Sequence, residues 1–181
     1  MYHGSNPTAL QSQRMITEAL FTLLKEKELS KINIKELCAK AMISRQTFYS
    51  LFGSKEEVVG LYFDILFQNY VERFIKGKKI FTTKDFCSST ITYLLEQKEL
   101  LELVIKNNLD YVVKEKMEGY LSELGDMFHI PMREDHDYVI AFLSGALMNV
   151  ISLMVKKKDF EDGARISALI ERIITGEYFG I

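Results

Sequence analysis

Residues 33–57 have the sequence NIKELCAKAMISRQTFYSLFGSKEE, and this stretch decides the fold. Asn33 and Ser44 each stand before a short run of helix-forming residues, and both are residue types that cap helix N-termini. The two predicted helices run to Ala39 and Leu51, with only about three or four residues between them. This spacing predicts a helix-turn-helix.

Apolar residues recur at helical spacing on both sides of this stretch. The further predicted helices cover about residues 8–26, 54–75, 83–97, 99–106, 109–128, 134–156 and 160–175. No segment shows sustained alternation of apolar and polar residues, so no strand is predicted. The sequence therefore predicts an all-α protein of about nine helices, in which a small three-helix unit precedes a larger helical bundle.

Composition and charge limit the class of protein. The 181 residues are 48% hydrophobic and 27% charged, which excludes a disordered or collagen-like chain, and two cysteines exclude a disulfide framework. The net charge of -2 is the sum of +4 over residues 1–55 and -6 over residues 56–181. We expect the basic part to meet a polyanion. Residues 1–55 are therefore predicted to be a DNA-binding domain, with 1–7 as a flexible arm, and 56–181 a regulatory and dimerisation domain.

The second helix of the predicted pair carries the side chains that DNA reading requires. Arg45 can contact guanine O6 and N7, and Gln46 can contact adenine N6 and N7, in the major groove. Ser44, Thr47 and Tyr49 offer hydroxyl groups suited to phosphate oxygens. An alternative interpretation is a helical hairpin that only packs, with its basic residues as a solvated face.

The spacing of the apolar and polar positions here is specific. The pattern is Ile34-x-x-Leu37-x-x-x-Ala41-x-Ile43-Ser44-x-x-Thr47-Phe48-Tyr49-x-x-Phe52-x-x-Lys55-Glu56-Glu57. Over about residues 8–60 the chain thus resembles the DNA-binding domain of TetR-family transcriptional regulators. The resemblance implies that Thr47, Tyr49 and Lys55 contact phosphates and that Arg45 and Gln46 face bases. The full set of expected DNA-binding residues is Asn33, Lys35, Ser44, Arg45, Gln46, Thr47, Tyr49, Ser50 and Lys55.

Two positions depart from that family's pattern. Met42 stands where the family usually has glycine in the turn, and a left-handed backbone there would cost roughly 1 kcal/mol or more. The sequence therefore predicts a different turn geometry. Leu51 stands where many members carry an aromatic residue or histidine, so one phosphate contact per subunit is expected to be missing.

The fourth predicted helix carries an aromatic stripe and extends about 30 Å, long enough to connect the N-terminal unit to the bundle as a rod. Such stripes arise from ordinary core packing or from a ligand pocket. The TetR resemblance implies an effector cavity in this region, without identifying the effector. The candidate ligand-binding residues on this helix and the next are Phe63, Phe67, Tyr70, Phe86, Thr90 and Tyr93.

Residues 138–155 form an uncharged run of eighteen residues, followed by three lysines. The run is at the short limit for a membrane span, and it also suits a helix that meets its own core on one face and a second subunit on the other. We expect a dimerisation helix that pairs with the last helix of the chain. The candidate interface residues are Phe142, Leu143, Ala146, Leu147, Val150, Ile151, Met154, Ile166, Leu169, Ile170 and Ile173.

Catalytic chemistry has little support in the sequence. The only cluster of histidine and carboxylates, residues 134–137, suits an acidic helix N-terminus better than a metal site. We expect no enzyme activity, no cofactor and no metal. We expect a cytoplasmic, ligand-responsive, homodimeric transcription regulator that acts as a repressor and binds a palindromic DNA operator and a small-molecule effector and no membrane. The alternative is a non-enzymatic helical adaptor or membrane-associated protein using residues 138–155.

Overall fold

The structure is a computed structural model that describes residues 1–2, 4–128 and 135–180, and within these residues the chain forms nine α-helices and no strand. The helices are α1 (Pro7–Glu26), α2 (Ile34–Lys40), α3 (Arg45–Leu51), α4 (Lys55–Tyr70), α5 (Thr83–Glu96), α6 (Lys98–Lys106), α7 (Asp110–Met127), α8 (His136–Lys157) and α9 (Gly163–Ile174). Short 3-10 turns occur at Leu29–Lys31 and Glu177–Phe179. A π-helical turn, Val71–Ile75, continues α4. The all-α prediction is confirmed.

Side-chain caps explain where the helices of the N-terminal part begin. Asn33 accepts a hydrogen bond from the Glu36 amide, and Ser44 accepts one from the Thr47 amide, both at 2.9 Å. Ser54 caps α4 in the same way. Each cap satisfies a backbone N–H that the helix itself leaves without a partner. The predicted starts of α2, α3 and α4 are therefore confirmed by the interactions that the sequence indicated.

Helices α1 to α3 pack around a small apolar centre, and this centre continues into the rest of the molecule. Leu20 of α1 and Phe48 of α3 are fully buried in it. The same cluster includes Val104 of α6 and Ile151 of α8. The predicted domain boundary after residue 55 falls at the start of α4, but the core is continuous across it. The division into two domains stays a prediction.

Around this core, α4 packs against α1 and α7, α7 and α6 pack against α8, and α5 packs against α9. Gly60 is the point of close approach between α4 and α7, because a Cβ atom there would lie 2.9 Å from Cε of Lys116. The Lys116 ammonium group reaches Asp64 of α4, 2.8 and 2.7 Å from its two carboxylate oxygens. A small residue and an ion pair thus hold α4 and α7 together.

Candidate nucleic-acid interface and ligand cavity

Helix α3 packs against the protein with its apolar side and exposes its polar side to solvent. Phe48 is fully buried and lies 5.8 Å from the ring of Phe52. Arg45, Gln46 and Tyr49, on the opposite side of the same helix, are exposed. The arrangement gives α3 a fixed position with two side chains near its N-terminus that suit base edges.

The turn between α2 and α3 differs from the sequence-based expectation. Met42 adopts a left-handed backbone conformation, with φ of 53°. The Met42 amide donates to the Ala39 carbonyl, and the Ile43 amide donates to the Cys38 carbonyl, which is the hydrogen-bond pattern of a Schellman motif. The prediction of a different turn geometry is therefore wrong. Two backbone hydrogen bonds and the buried helices on either side hold Met42 in a conformation that glycine adopts without strain.

The nine expected DNA-binding residues differ in exposure: seven are exposed, and Thr47 and Lys55 are partly exposed. Most of them are exposed on α2, α3 or the loop before α2: Asn33, Lys35, Ser44, Arg45, Gln46, Tyr49 and Ser50. Three hydroxyl groups already bond within α3, because Ser44 bonds the Thr47 amide and hydroxyl and Ser50 donates to the Thr47 carbonyl. Leu51 is buried, so it offers no contact to a phosphate.

Lys55 has partners inside the protein. Its ammonium group donates to the carbonyl oxygens of Leu29 and Ile32, each at 2.6 Å, and the residue is only partly exposed. These bonds tie the start of α4 to the loop between α1 and α2. The phosphate contact expected of Lys55 stays a prediction, and the structure adds a role for this residue in holding that loop.

The first residues of the chain are attached to the same unit. The Tyr2 amide donates to the Leu51 carbonyl at 2.8 Å, and the Tyr2 carbonyl accepts from the Gln13 side chain at 3.0 Å. Met1 and Tyr2 also pack against the main apolar cluster. The flexible arm expected over residues 1–7 therefore has an anchor at Tyr2, and Pro7 already belongs to α1.

The N-terminal part is also connected to the bundle at the corner between α6 and α7. The side-chain oxygen of Asn107 accepts a hydrogen bond of 2.9 Å from the backbone amide of Leu29. The side-chain NH2 of Asn107 donates to the Leu103 carbonyl at 2.8 Å, which fixes the amide orientation. The connection does not pass through α4. No sequence signal distinguishes this Asn from other loop polar residues.

A cavity of about 100 Å³, which we call the proximal cavity, lies between α4, α5, α6 and α7. All six candidate ligand-binding residues line it, which are Phe63, Phe67, Tyr70, Phe86, Thr90 and Tyr93. Sequence reasoning missed the residues that complete the lining, which are Leu66, Leu94, Gln97, Leu101, Val113, Met117, Tyr120, Leu121, Leu124 and Leu147. The six were found because α4 and α5 carry aromatic side chains at helical spacing, whereas nothing in the sequence indicates which face of α7 meets α4.

Two tyrosines of this cavity's lining have hydroxyl groups that bond to other side chains of the protein. The Tyr70 hydroxyl lies 2.8 Å from Ser89 Oγ and 3.2 Å from Thr90 Oγ1, and burial raises the pKa of this phenol. Tyr120 stacks on Phe67, with ring centroids 4.2 Å apart, and donates to Asp64 at 2.9 Å. Burial and the nearby Asp64 charge raise the pKa of Tyr120. Both phenols are therefore protonated near neutral pH and act as hydrogen-bonding groups.

The second face of interest is the solvent-exposed side of α8. Tyr138, Phe142 and Leu153 are exposed there, with Asn149 between them at helical spacing, and we call these four residues the α8 stripe. Phe142 is 69% exposed, which is unusual for a large apolar side chain. By length and composition, α8 is also the one helix of the described chain that could cross a membrane.

Three of the expected interface residues lie elsewhere. Ile151, Met154 and Ile166 are buried in the protomer's own core, so the prediction that they meet a second subunit is wrong. The reason is that α8 is apolar all round, and its periodicity does not reveal which side faces inward. Ser144 likewise faces inward, fully buried with its hydroxyl near Glu118 and Ala141. The other expected interface residues, which stay predictions, are Phe142, Leu143, Ala146, Leu147, Val150, Leu169, Ile170 and Ile173.

The acidic cluster before α8 gives no metal centre within the described part of the chain. No group of three or more histidine, cysteine, aspartate or glutamate side chains is placed to hold a metal ion in residues 1–2, 4–128 and 135–180. Glu134 lies outside the described residues. Cys38 and Cys87 are both buried as free thiols, and burial raises the pKa of Cys87 to about 11.

The geometry thus defines an all-α protein with an N-terminal helix-turn-helix and a cavity-bearing helical bundle. No family model matches the sequence, and a search of curated proteins finds no match. Among solved structures, the chain is similar to the protein named dihydroxyacetone kinase operon activator DhaS. The TM-score is 0.52, with 15% sequence identity, over 90% of this chain and 97% of the other. At this identity the similarity establishes the fold.

Proposed function

We propose that the protein is a DNA-binding transcription regulator of the TetR family, which acts as a homodimer in the cytoplasm. The proposal rests on one observation: α3 is held firmly in the protein while its polar side is exposed. Its Ser44 cap and buried Phe48 fix the helix, and the exposed Arg45 and Gln46 near its N-terminus suit guanine and adenine edges. The similar solved structure carries the name of an operon activator, which agrees with a role in transcription.

The proposed partner surface for the second subunit is the outer side of α8 with the exposed side of α9. The α8 stripe is apolar apart from Asn149, and Ile173 of α9 is also exposed. A two-fold axis would let the same patch meet itself in both subunits. The alternative of a membrane-associated helix is less well supported, because α8 packs against α6 and α7 and contributes Met148 and Ile151 to the core.

We further propose that a small-molecule effector enters the bundle and changes the position of α4. One helix connects the two regions, since α4 begins beside α3 at Lys55 and carries Phe63, Phe67 and Tyr70 into the proximal cavity. An effector that binds more tightly to the arrangement that cannot bind DNA lowers the affinity for DNA. The coupling free energy between the two sites is typically about 1–3 kcal/mol. Repression with release by the effector is the sign of regulation we propose.

Selection of bound duplexes from a random pool by the purified protein tests the proposed function. The expected result is a palindromic consensus, because a two-fold dimer places two copies of α3 on successive half-sites about 34–36 Å apart or a multiple of this. A selected pool without any consensus would contradict a sequence-specific regulator. A consensus without two-fold symmetry would contradict the proposed dimer while leaving DNA reading by α3 in place.

A further inference from the structure

Helix α3 is fixed at both of its ends, and the bond at its C-terminal end comes from the first residues of the chain. The N-terminal end has the Ser44 cap described above. At the other end, the Leu51 carbonyl belongs to the last turn, whose carbonyl groups have no partner inside the helix. The backbone amide of Tyr2 donates to this carbonyl at 2.8 Å. The position of the C-terminal end of α3 therefore depends on where Tyr2 is held.

A buried glutamine of α1 holds Tyr2 in place. Gln13 is only 4% exposed, although its side chain is polar. Its Nε2 atom donates a hydrogen bond of 3.0 Å to the Tyr2 carbonyl. Buried polar groups normally have such a partner, and losing the partner costs free energy. The two backbone groups of Tyr2 thus connect α1 to the end of α3, and we call the bonds Gln13–Tyr2 and Tyr2–Leu51 the Tyr2 bridge.

The side chain of Tyr2 is also held by residues that follow it in the chain. The Tyr2 hydroxyl oxygen accepts a 3.2 Å hydrogen bond from the Asn6 amide. Asn6 in turn caps α1, because its side-chain oxygen accepts a 2.9 Å hydrogen bond from the Thr8 amide. The chain passes close to the ring at Gly4, where a Cβ atom would lie 2.2 Å from the Tyr2 hydroxyl oxygen. Tyr2 is therefore attached to α1 both through Gln13 and at the start of the helix.

The short length of α3 makes the position of its C-terminal end important for base reading. The helix has seven residues, which is a length of about 10 Å. A shift at Leu51 therefore changes the direction in which Arg45 and Gln46 point. Side chains that recognise a ligand must be held to within about 0.5 Å of the productive geometry. Contacts to phosphates carry no sequence information. A tilt of α3 that disturbs its base contacts therefore lowers the preference for one DNA sequence.

We propose that Gln13 and Tyr2 are positioning residues for base reading by α3. Gln13 is too deeply buried to touch DNA, and it acts on Leu51 through the Tyr2 bridge. The inference rests on the proposed function, because it gives these residues a part in sequence-specific DNA binding. Release of the bridge frees the C-terminal end of α3 and lowers the preference for the operator sequence.

Gln13→Met tests the bridge, because it keeps the length of the side chain and removes the donor to Tyr2. The matched control is Gln11→Met, at an exposed glutamine of the same helix. Fluorescence anisotropy with the selected duplex and with a scrambled duplex gives the dissociation constants, and their ratio measures sequence preference. We expect Gln13→Met to lower the preference about fivefold, through weakened base contacts, and Gln11→Met to leave it within about twofold of the wild type.

The preference separates a positioning role from a purely structural one. A variant that is only less stable has a smaller folded fraction, which weakens binding to both duplexes by the same factor. An unchanged preference in Gln13→Met would therefore overturn the inference while leaving the proposed function in place. A wild-type chain that binds the two duplexes equally would contradict the proposed function itself, and the inference with it.

Amide hydrogen exchange in the wild-type protein covers the case in which Gln13→Met fails to fold, as judged by circular dichroism. The Tyr2 amide exchanges when its bond to Leu51 opens, and NMR of protein with 15N-labelled tyrosine observes it, with Tyr2→Phe assigning the resonance. If release of the bridge weakens binding to the selected duplex about fivefold, linkage requires that duplex to slow the exchange about fivefold. The scrambled duplex should slow it by less than about twofold. Equal effects of the two duplexes would overturn the inference.

Discussion

The side-chain oxygen of Asn107, at the corner between α6 and α7, accepts a 2.9 Å hydrogen bond from the backbone amide of Leu29 in the N-terminal part. The Leu29 side chain is buried, and the Asn107 NH2 group is used on the Leu103 carbonyl. The bundle therefore contacts the helix-turn-helix unit through this corner as well as through α4 and the shared apolar core. A displacement of α6 would reach Leu29 without first moving α4.

Replacing Asn107 tests how much this contact contributes. Asn107→Leu leaves the Leu29 amide and the Leu103 carbonyl without their side-chain partner, so we expect the free energy of unfolding to fall by about 1–3 kcal/mol. Asn107→Asp is the control, because it keeps an acceptor for Leu29 and should cost less. Chemical denaturation measures both. Equal losses for the two variants would mean that the bond to Leu29 contributes little.

The left-handed backbone of Met42 predicts that a substitution there raises the free energy of unfolding, in contrast to the loss expected at Asn107. Its side chain is 84% exposed, so its removal sacrifices little packing. Met42→Gly should raise the free energy of unfolding by about 1 kcal/mol, because glycine adopts positive φ without strain. Met42→Ala should change stability by only a few tenths of a kcal/mol, since alanine retains the strain. A destabilised Met42→Gly variant would contradict the geometry of the turn.

Variants of Lys55 and Lys35 can be compared, because Lys55 bonds within the protein and Lys35 is exposed and expected to contact DNA. Lys55→Met should lower the free energy of unfolding by about 1–3 kcal/mol, because the carbonyls of Leu29 and Ile32 lose a charged donor. Lys35 is exposed, and Lys35→Ala should leave stability within about 0.5 kcal/mol of the wild type.

The same two variants should differ on DNA. Lys35→Ala should reduce the dependence of log affinity on log salt by about one unit per subunit, through the loss of one phosphate contact. Denaturation and titrations at several salt concentrations provide the comparison. If Lys55→Met folds as stably as the wild type, its bonds to the two carbonyls do not hold the loop.

The α8 stripe predicts the oligomeric state. Phe142→Glu places a charge in the middle of the proposed subunit interface, and sedimentation equilibrium should show a monomer where the wild type is a dimer. Tyr111→Glu is the matched control, because Tyr111 is also a large exposed residue, on α7, and lies outside the stripe. A monomeric wild type, or a dimer that survives Phe142→Glu, would rule out this interface.

Local signals in the sequence were enough to predict most of the fold. The caps Asn33, Ser44 and Ser54 are short-range interactions within a few residues, so they are visible in the sequence and recur in the structure. The six candidate ligand-binding residues do line one cavity, because the aromatic spacing on α4 and α5 marks one face of each helix.

Features that depend on tertiary context were not predictable in this way. Helix α8 is apolar on all sides, so the inward positions of Ile151 and Met154 could not be distinguished from its exposed stripe. The partners of Lys55 lie 23 and 26 residues away in the chain, and Leu29, the long-range partner of Asn107, lies 78 residues away. At Met42 a local preference was overridden, because the packing of α2 and α3 outweighs a strain of about 1 kcal/mol.

The proposed function requires that α3 reads base sequence. Fluorescence anisotropy with the duplex obtained by selection and with a scrambled duplex gives the ratio of the two dissociation constants. We predict that Arg45→Ala and Gln46→Ala each reduce this ratio by an amount equivalent to about 1–3 kcal/mol, whereas Tyr49→Phe weakens binding to both duplexes equally. A wild-type protein that binds the two duplexes with the same affinity, or a ratio unchanged by both Arg45→Ala and Gln46→Ala, would contradict the claim.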